Sequence, residues 1–437
     1  MKRIISLLIL ISLCITLFSC MPNLKRFAVK FADDKVKVSE SIKKSDEYVG
    51  FVNNVNDFAI KLAASVNGDT DDGANFGISP VSAYMSLAIA CEISDEETRQ
   101  EILHALGITY EEMTSMTKYL YALCNEEYTY VDQYDETKSL GLSRLSASIW
   151  TKEGTSLKTN KVNSLTSKLM CDVYAASYKE GTAQKMINQY VEYKTHGVSN
   201  GNLKFPANTD LAIVCTYYIQ EVWNSLGRNM SLTMEYHDFV NSDGSKSAMP
   251  LLRGHYEEGR MYESATFSAF YIDTANGFRM HFVIPAEDKS VSDVFTQRNI
   301  SRVLNIQNYS HKDEINKELH YTRILFPEFK ASFNGTLNNV LKDDFGINRL
   351  FENGAASFSS LSNDPLSYKN VLHKCDVNVS TNGFDGESVY GTGGTTPSAP
   401  EEYTKIYHDY ALERSFGFII TDPNGLIVYT GVINNLD

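Results

Sequence analysis

The first part of the chain places its hydrophobic residues at helical spacing. Between residues 51 and 66 the apolar side chains recur every three or four positions, which predicts an amphipathic helix. Residues 81–93 are apolar on almost every side, so we expect a buried helix that begins with Ser79 as its cap and Pro80 in its first position. Two more helices are predicted directly after it, one that ends at Gly107 and one over residues 111–123.

Most of the remaining chain shows patterns typical of strands. A long apolar run covers residues 211–223, and residues 371–379 alternate between apolar and polar side chains. Shorter apolar runs lie at 145–150, 267–272, 279–285, 320–329, 416–420 and 426–432. The last two flank a turn at residues 422–425, which predicts a hairpin. Because helices come early and strands late, without βαβ alternation, the pattern predicts an α+β fold with a large, mostly antiparallel sheet system.

One long segment between two of these strands has no hydrophobic pattern. Residues 381–402 contain five glycines, two prolines and few apolar side chains, so they cannot contribute a core. Segments of this length without secondary structure are uncommon in compact domains and are usually functional loops or disordered. Because strong strands are predicted on both sides, we expect an exposed loop whose two ends are held in place.

Composition and charge narrow the functional classes. The 437 residues are 43% hydrophobic and 22% charged, which is typical of a folded soluble protein. The net charge of −14 argues against a nucleic-acid binder, which needs a basic surface. Seven cysteines are too few for a disulfide scaffold. The sequence lacks the His-Glu-x-x-His, P-loop and Cys-x-x-Cys motifs, so we expect neither an enzyme nor a cofactor or metal.

The N-terminus has the pattern of an export signal. Lys2 and Arg3 precede an apolar run over residues 4–18, which predicts a signal peptide over residues 1–19. Ser19-Cys20 resembles a bacterial lipobox, in which the cysteine is acylated; an ordinary signal peptide or an N-terminal membrane anchor is the alternative. Residues 20–50 are rich in lysine and predict a tether. We therefore expect an exported protein held to the membrane of a bacterial cell envelope through Cys20.

The sequence from Asn75 to Ser82, Asn-Phe-Gly-Ile-Ser-Pro-Val-Ser, resembles a segment of the serpins, the serine-protease-inhibitor superfamily. Further matches to that family follow in order at the strand that ends in Trp223 and at 239–250, 280–285, 326–330, 345–358, 371–374, 410–418 and 431–434. Each match is weak alone, but the ordered series covers about residues 50–437. The resemblance implies the serpin fold over residues 51–437.

The resemblance also implies a mechanism. In serpins the exposed reactive-centre loop, here about residues 381–409, is attacked by a target protease that becomes trapped as an acyl-enzyme. The cut loop then inserts as an extra strand into the large central sheet; serpins are a standard example of such strand addition. The implied partners are serine and cysteine endopeptidases, and the protein is expected to be monomeric.

The resemblance assigns roles to several buried residues. His373 faces the apolar side of its strand, where a histidine is usually a core residue with its hydrogen bonds satisfied. In the family this histidine joins the serines that match Ser79 and Ser82 in a cluster that controls sheet opening. The asparagine of that cluster is replaced by Cys215, which could approach Cys375. Trp223 is expected at the end of the sheet where insertion begins.

The hinge of the loop departs from the family pattern. The hinge residues are Gly383, Phe384, Asp385 and Gly386. Phe384 stands where the family has a small residue, and Thr381 stands where it usually has glutamate. Burying Phe384 in the sheet could cost about 1–3 kcal/mol through over-packing. A serpin-shaped protein that does not inhibit proteases is therefore the alternative.

Two counts place the bond that the protease cuts. Counting fourteen residues from Gly383 gives Pro397, and because proline is unfavourable beside a cut, the prediction moves to Ser398-Ala399. Counting back twelve residues from Phe416 gives Thr404 and points to Tyr403, Lys405 or Tyr407. The two counts differ, so we expect the cut between residues 396 and 405.

Overall fold

The structure is a computed structural model. It describes residues 24–33, 36–70, 73–131, 137–179, 181–199, 202–206, 208–223, 230–254, 257–258, 261–305, 312–313, 316–352, 354, 356–366, 368, 371–384 and 403–436. In these residues the helices are α1 (Glu40–Lys43), α2 (Asp46–Asp69), α3 (Pro80–Ile93), α4 (Glu96–Leu106), α5 (Tyr110–Leu123), α6 (Thr159–Lys168), α7 (Thr182–Lys194), α8 (Val291–Val294), α9 (Gln297–Leu304) and α10 (Asn338–Asp343). The strands of the first half are β1 (Ala28–Lys30), β2 (Phe76–Ile78), β3 (Glu127–Val131), β4 (Thr137–Lys152), β5 (Cys171–Ala176) and β6 (Leu211–Val222). Those of the second half are β7 (Ser231–Val240), β8 (Lys246–Arg253), β9 (Glu257–Glu258), β10 (Met261–Glu263), β11 (Phe267–Asp273), β12 (Arg279–Pro285), β13 (Lys312–Asp313), β14 (Glu318–Phe326), β15 (Phe329–Thr336), β16 (Leu372–Ser380), β17 (Gly383–Phe384), β18 (Thr404–Ala411), β19 (Phe416–Thr421) and β20 (Ile427–Ile433).

The first two long helices, α2 and α3, form where the hydrophobic pattern predicts them. Helix α2 begins earlier than its apolar stripe because the Ser45 side chain accepts a hydrogen bond from the Tyr48 N–H and caps the first turn. Helix α3 starts at Pro80 and is buried along its whole length. It packs against β4, β6 and β20, which places the start of α3 directly behind the large sheet.

The large sheet, which we call the central sheet, has the order β1-β5-β4-β6-β17-β16-β15, with β3 paired to β4. All pairs in its described part are antiparallel except β4 with β5. Strands β4 and β6 run together from Gly141↔Glu221 to Thr151↔Leu211. The predicted α+β class with a mostly antiparallel central sheet is confirmed.

Two further sheets complete the fold. The second sheet has the order β10-β11-β12-β19-β20-β2 and contains the predicted C-terminal hairpin. The third sheet has the order β13-β14-β8-β7, with β9 and β18 also paired to β14. Strand β18 runs parallel to β14 from Glu318↔Thr404 to Leu325↔Ala411. The chain that follows the predicted loop is therefore fixed in a different sheet from the chain that precedes it.

The segment predicted as a tether is folded in part. Strand β1 pairs with β5 at the edge of the central sheet, and Leu24 is buried. Residues 46–50 already belong to α2 because the cap at Ser45 starts that helix before its apolar stripe. Residues 1–23, which include the predicted signal peptide and Cys20, lie outside the described residues. In the described part of the chain, no helix combines the length and apolarity needed to cross a bilayer.

Candidate functional site

The predicted hinge begins inside the central sheet. Strand β17 lies between β6 and β16, with Phe384 opposite both Glu221 and Val379. Beyond β17 the described parts of β6 and β16 pair with their outer neighbours and not with each other. The two strands nevertheless lie close to each other. We call the boundary between residues 211–220 of β6 and 372–378 of β16, where an added strand would have to separate them, the slot.

Phe384 fills the end of the sheet. The side chain has no exposed surface, and its ring lies edge-on to Trp223 with centroids 5.0 Å apart. Trp223 is also buried, packs edge-on against Phe326, and donates from its indole nitrogen to the carbonyl of Ser380 at 2.7 Å. The aromatic ring that we expected to over-pack the sheet therefore occupies a place formed by other aromatic rings.

Gly383 allows β17 to lie close to the backbone of β6. Its φ of +137° lies in a region that favours glycine, and a Cβ atom at this position would overlap the backbone oxygen of Glu221. The strand can therefore pair with β6 at this point only because residue 383 is glycine.

The residue opposite Phe384, Glu221, is a buried carboxylic acid that sequence reasoning missed. It accepts hydrogen bonds from the Thr274 hydroxyl at 2.9 Å and from the Asn276 side-chain amide at 3.0 Å. Burial raises the pKa of Glu221 to about 8, against the opposing effect of these donors. The signal in the sequence is a lone carboxylate within the apolar run at 211–223.

The predicted cluster is brought together in part. His373 is buried, and its Nε2 accepts a hydrogen bond from the backbone N–H of Ser79 at 3.1 Å. The Ser82 hydroxyl donates to the carbonyl of Ser79 at 3.0 Å. The Ser79 hydroxyl, predicted to cap α3, makes no capping bond and has no hydrogen-bond partner among the described residues.

Cys215 joins the cluster only through a residue that sequence reasoning missed. The Cys215 thiol interacts with Ser86, whose hydroxyl donates to the carbonyl of Ser82 at 3.0 Å. Ser79, Ser82 and Ser86 share one face of the α3 segment, a spacing that could have identified the third serine. Cys215 is a free thiol and is not joined to Cys375.

The cluster is uncharged at neutral pH. Burial lowers the pKa of His373 to about 4 and raises the pKa of Cys215 to about 12. The cluster therefore offers hydrogen bonds rather than an ionised nucleophile or base. In the described part of the chain, no group of three or more His, Cys, Asp and Glu side chains is arranged to hold a metal ion.

The predicted loop ends earlier in the chain than expected. Thr404 and Lys405 already belong to β18, where they pair with Glu318 and Leu319. Lys317 lies over the Tyr403 ring at 5.2 Å. The predicted range of 381–409 is therefore wrong at its end, since parallel pairing with β14 begins at residue 404. The remaining predicted hinge and cleavage residues, Asp385, Gly386, Pro397, Ser398 and Ala399, lie outside the described residues.

A family model described as Serpin (serine protease inhibitor) matches residues 53–436. The chain belongs to the serpin family. Serpin-Z10 of Arabidopsis thaliana is 23% identical over 402 residues, which cover 87% of this chain and 97% of that protein. The probable non-inhibitory serpin-Z9 of Oryza sativa subsp. japonica is also 23% identical, with 86% of this serpin and 84% of that protein covered.

Solved structures show the same fold. The thermophilic serpin tengpin in its native state aligns with this serpin at a TM-score of 0.72 and 22% identity, with 94% of this chain and 98% of that chain covered. The predicted family and fold are therefore confirmed. The family is one of protease inhibitors, and it includes members described as non-inhibitory.

Proposed function

We propose that this serpin is a suicide inhibitor of serine endopeptidases, with cysteine endopeptidases as a second target class, and has no catalytic activity of its own. The cut loop would enter the slot as a new strand. The observation that carries the proposal is the placement of β17, which starts such a strand between β6 and β16 in antiparallel register with both.

The register of β17 defines what the slot would receive. Each further loop residue would lie opposite the preceding residue of β6, which begins at Leu211. In this register, residues 385–391 would have partners on both β6 and β16, and residues 392–394 would have partners on β6 alone. A cut must fall beyond that point to leave a full strand, which favours Pro397 and Ser398-Ala399. Tyr403, Thr404 and Lys405 are less favourable, because a protease needs an extended segment that is not already paired.

The sequence of the loop suits this register. Residues alternate between the two faces of a strand, and Phe384 faces the buried side. Gly386, Ser388 and Tyr390 would face the same side, while both carboxylates, Asp385 and Glu387, would face outward. No charge would be buried on the inner face by insertion, which supports the proposal.

Insertion would also reach the buried cluster. In the register of β17, Tyr390 would lie opposite both Cys215 on β6 and His373 on β16. The inserted ring would have to be accommodated where His373 contacts Ser79. This supports a role for the cluster in resisting the opening of the sheet before the loop is cut.

The test compares two loop variants that differ only in the face they would occupy. We expect the wild-type serpin to form an adduct with a target protease that survives denaturing electrophoresis, and cleavage to raise its melting temperature. Ser388→Arg would place a charge on the inner face, so it should be cut without forming the adduct. Glu387→Arg carries the same side chain on the outer face and should still form the adduct.

The alternative is a non-inhibitory serpin, and the bulky Phe384 in the hinge is the observation that favours it. Cleavage of the wild-type protein with neither an adduct nor a rise in melting temperature, across a panel of serine and cysteine endopeptidases, would contradict the inhibitor proposal. Sequencing the fragment released from the adduct would locate the cut.

We also propose that the serpin is exported and attached to the bacterial cell envelope through an acylated Cys20. Support comes from the charged start, the apolar run and Ser19-Cys20. Mass spectrometry of the mature N-terminus should find a lipid-modified Cys20. An unmodified chain that begins at another residue would contradict the anchor.

A further inference from the structure

The carboxyl group of Glu221 lies next to the only two hinge residues that the structure describes in the sheet. Glu221 pairs directly with Phe384, and directly opposed residues of antiparallel strands place their side chains on the same face. Both side chains have no exposed surface. The ring of Phe384 therefore helps to keep water away from the carboxyl group.

The surroundings of Glu221 supply hydrogen bonds but no counter-charge. Its partners are the neutral side chains of Thr274 and Asn276. In the described part of the chain it makes no ion pair with Lys, Arg or His, and β4 contributes Gly141 at the point of contact. An ionised carboxylate that is buried without a cation is unfavourable, so this site favours the neutral acid.

The titratable groups beyond this first ring of contacts do not supply a cation either. On β3, Tyr128 is close enough for the charge of Glu221 to raise its pKa. Tyr128 in turn senses Asp422, Glu126 and Cys124. All of these groups carry negative charge when ionised, so none of them would stabilise a Glu221 carboxylate.

We propose that Glu221 is a positioning residue whose protonated carboxyl group holds the hinge between β6 and β16, and whose ionisation releases it. When Gly383 and Phe384 leave the sheet, water reaches the carboxyl group and can solvate its charge. This coupling concerns the intact, uncut chain and holds whether or not the protein traps a protease.

The direction of the pH dependence follows from the two states. With the hinge inserted, the pKa of Glu221 is raised to about 8, whereas a solvated glutamate titrates near 4.5. The inserted state therefore binds the proton more tightly, and it is favoured most at low pH. Between about pH 4.5 and 8 the ratio of released to inserted hinge should rise by up to tenfold per pH unit, and above pH 8 it should level off.

Trp223 provides the readout. The chain has two tryptophans, so Trp150→Phe leaves Trp223 as the only one. Its ring touches Phe384, so release of the hinge should expose it and move its emission to longer wavelength. We expect the emission of the Trp150→Phe protein to shift progressively from pH 5 to 8 and then stay constant.

Three variants in this background define the end states and the control. Glu221→Gln mimics the neutral acid and should keep the low-pH emission at every pH. Gly383→Ala cannot pair with β6 and should show the high-pH emission at every pH. Asp422→Asn replaces another buried carboxyl group whose pKa is raised, at the turn of the C-terminal hairpin, and should leave the profile unchanged.

Emission of the Trp150→Phe protein that stays constant from pH 5 to 9 would overturn the proposal. A Glu221→Gln variant whose emission changes with pH in the same way as that of the Trp150→Phe protein would also overturn it. If Glu221→Gln does not fold, Asn276→Ala replaces it. Loss of this donor should raise the pKa of Glu221 further and move the plateau to higher pH. An unchanged plateau in that variant would count against Glu221 as the titrating group. No protease is needed in any of these measurements, so their outcome is independent of inhibition.

Discussion

The two ends of the predicted reactive-centre loop are held in different ways. The hinge end is a two-residue strand, β17, fixed by burial of one aromatic ring between two antiparallel neighbours. The far end is the eight-residue strand β18, which runs parallel to β14 and is partly exposed along its length. Its side chains add the Arg323–Asp409 ion pair, stacked Tyr321 and Tyr407 rings, and a hydrogen bond between His320 and His408 at 2.9 Å.

Under the proposed mechanism, this difference separates an end that moves from an end that stays fixed. Pairing along β18 is spread over many residues, so no single side chain should control it. At the hinge, by contrast, β17 forms only two residue pairs with each neighbouring strand. Whether β17 stays in the central sheet therefore depends mainly on the burial of Phe384 and the fit of Gly383. The proposed mechanism, in which the loop enters the slot from its hinge end while its other end stays fixed, needs this asymmetry.

The largest expected effect comes from Phe384→Ala. Removing a buried aromatic ring costs about 3–5 kcal/mol in a core, and β17 has few other interactions to offset that loss. We expect the hinge to leave the sheet, which should move the emission of Trp223 to longer wavelength. Tyr407→Ala, which removes a half-exposed ring at the far end, is the control and should leave that emission unchanged. Unaltered emission in Phe384→Ala would show that the ring does not hold the hinge.

The next largest effect is expected from the titration of His373, which lies on β16, the strand that leads into the hinge. Its pKa is lowered to about 4 in the folded protein, whereas an exposed histidine titrates near 6.5, so the unfolded chain takes up the proton first as the pH falls. The free energy of unfolding should therefore decrease from pH 6.5 to 4, by up to about 1.4 kcal/mol per pH unit, and not change further below pH 4 on this account. Urea unfolding of His373→Gln should lack this contribution.

His281 serves as the matched control for that measurement. It is buried on β12 of the second sheet, and its pKa is also lowered to about 4. His281→Gln should remove a separate part of the same pH dependence, and the double variant should lose both, because distant sites are usually additive. Equal slopes in the wild type and His373→Gln would show that His373 is not the group responsible.

Local patterns were sufficient to predict the framework of the site. The alternation over residues 371–379 placed His373 on the buried face of β16, where the structure has it. The start of α3 at Pro80 and the C-terminal hairpin also follow from neighbouring residues. In each case the information lies within a few positions of the chain, so periodicity and turn chemistry are enough.

The features that sequence reasoning missed depend on residues far apart in the chain. Glu221 looks like an interruption of an apolar strand until Thr274 and Asn276 are brought beside it by the second sheet. Local residue preferences predicted that the Ser79 side chain caps α3, but the hydroxyl makes no capping bond. Instead, the backbone N–H of Ser79 donates to His373 on a distant strand. The insertion of Phe384 likewise depends on Trp223, which no local pattern connects to it.

The smallest effect is expected at the far end, from Arg323→Ala. Arg323 donates two hydrogen bonds to the Asp409 carboxylate, at 2.9 and 2.6 Å, but Asp409 is largely exposed and such pairs contribute only about 0.2–1 kcal/mol. Because eight residue pairs hold β18, its amide hydrogens should exchange no more than about fivefold faster in the variant. Lys246→Ala breaks an exposed ion pair with Asp238 in the same sheet, between β7 and β8, and is the matched control that should leave β18 unchanged. The emission of Trp223 should be the same in both variants. A shift of that emission in Arg323→Ala would mean that the two ends of the loop are coupled, and the separation of a fixed end from a moving end would then fail.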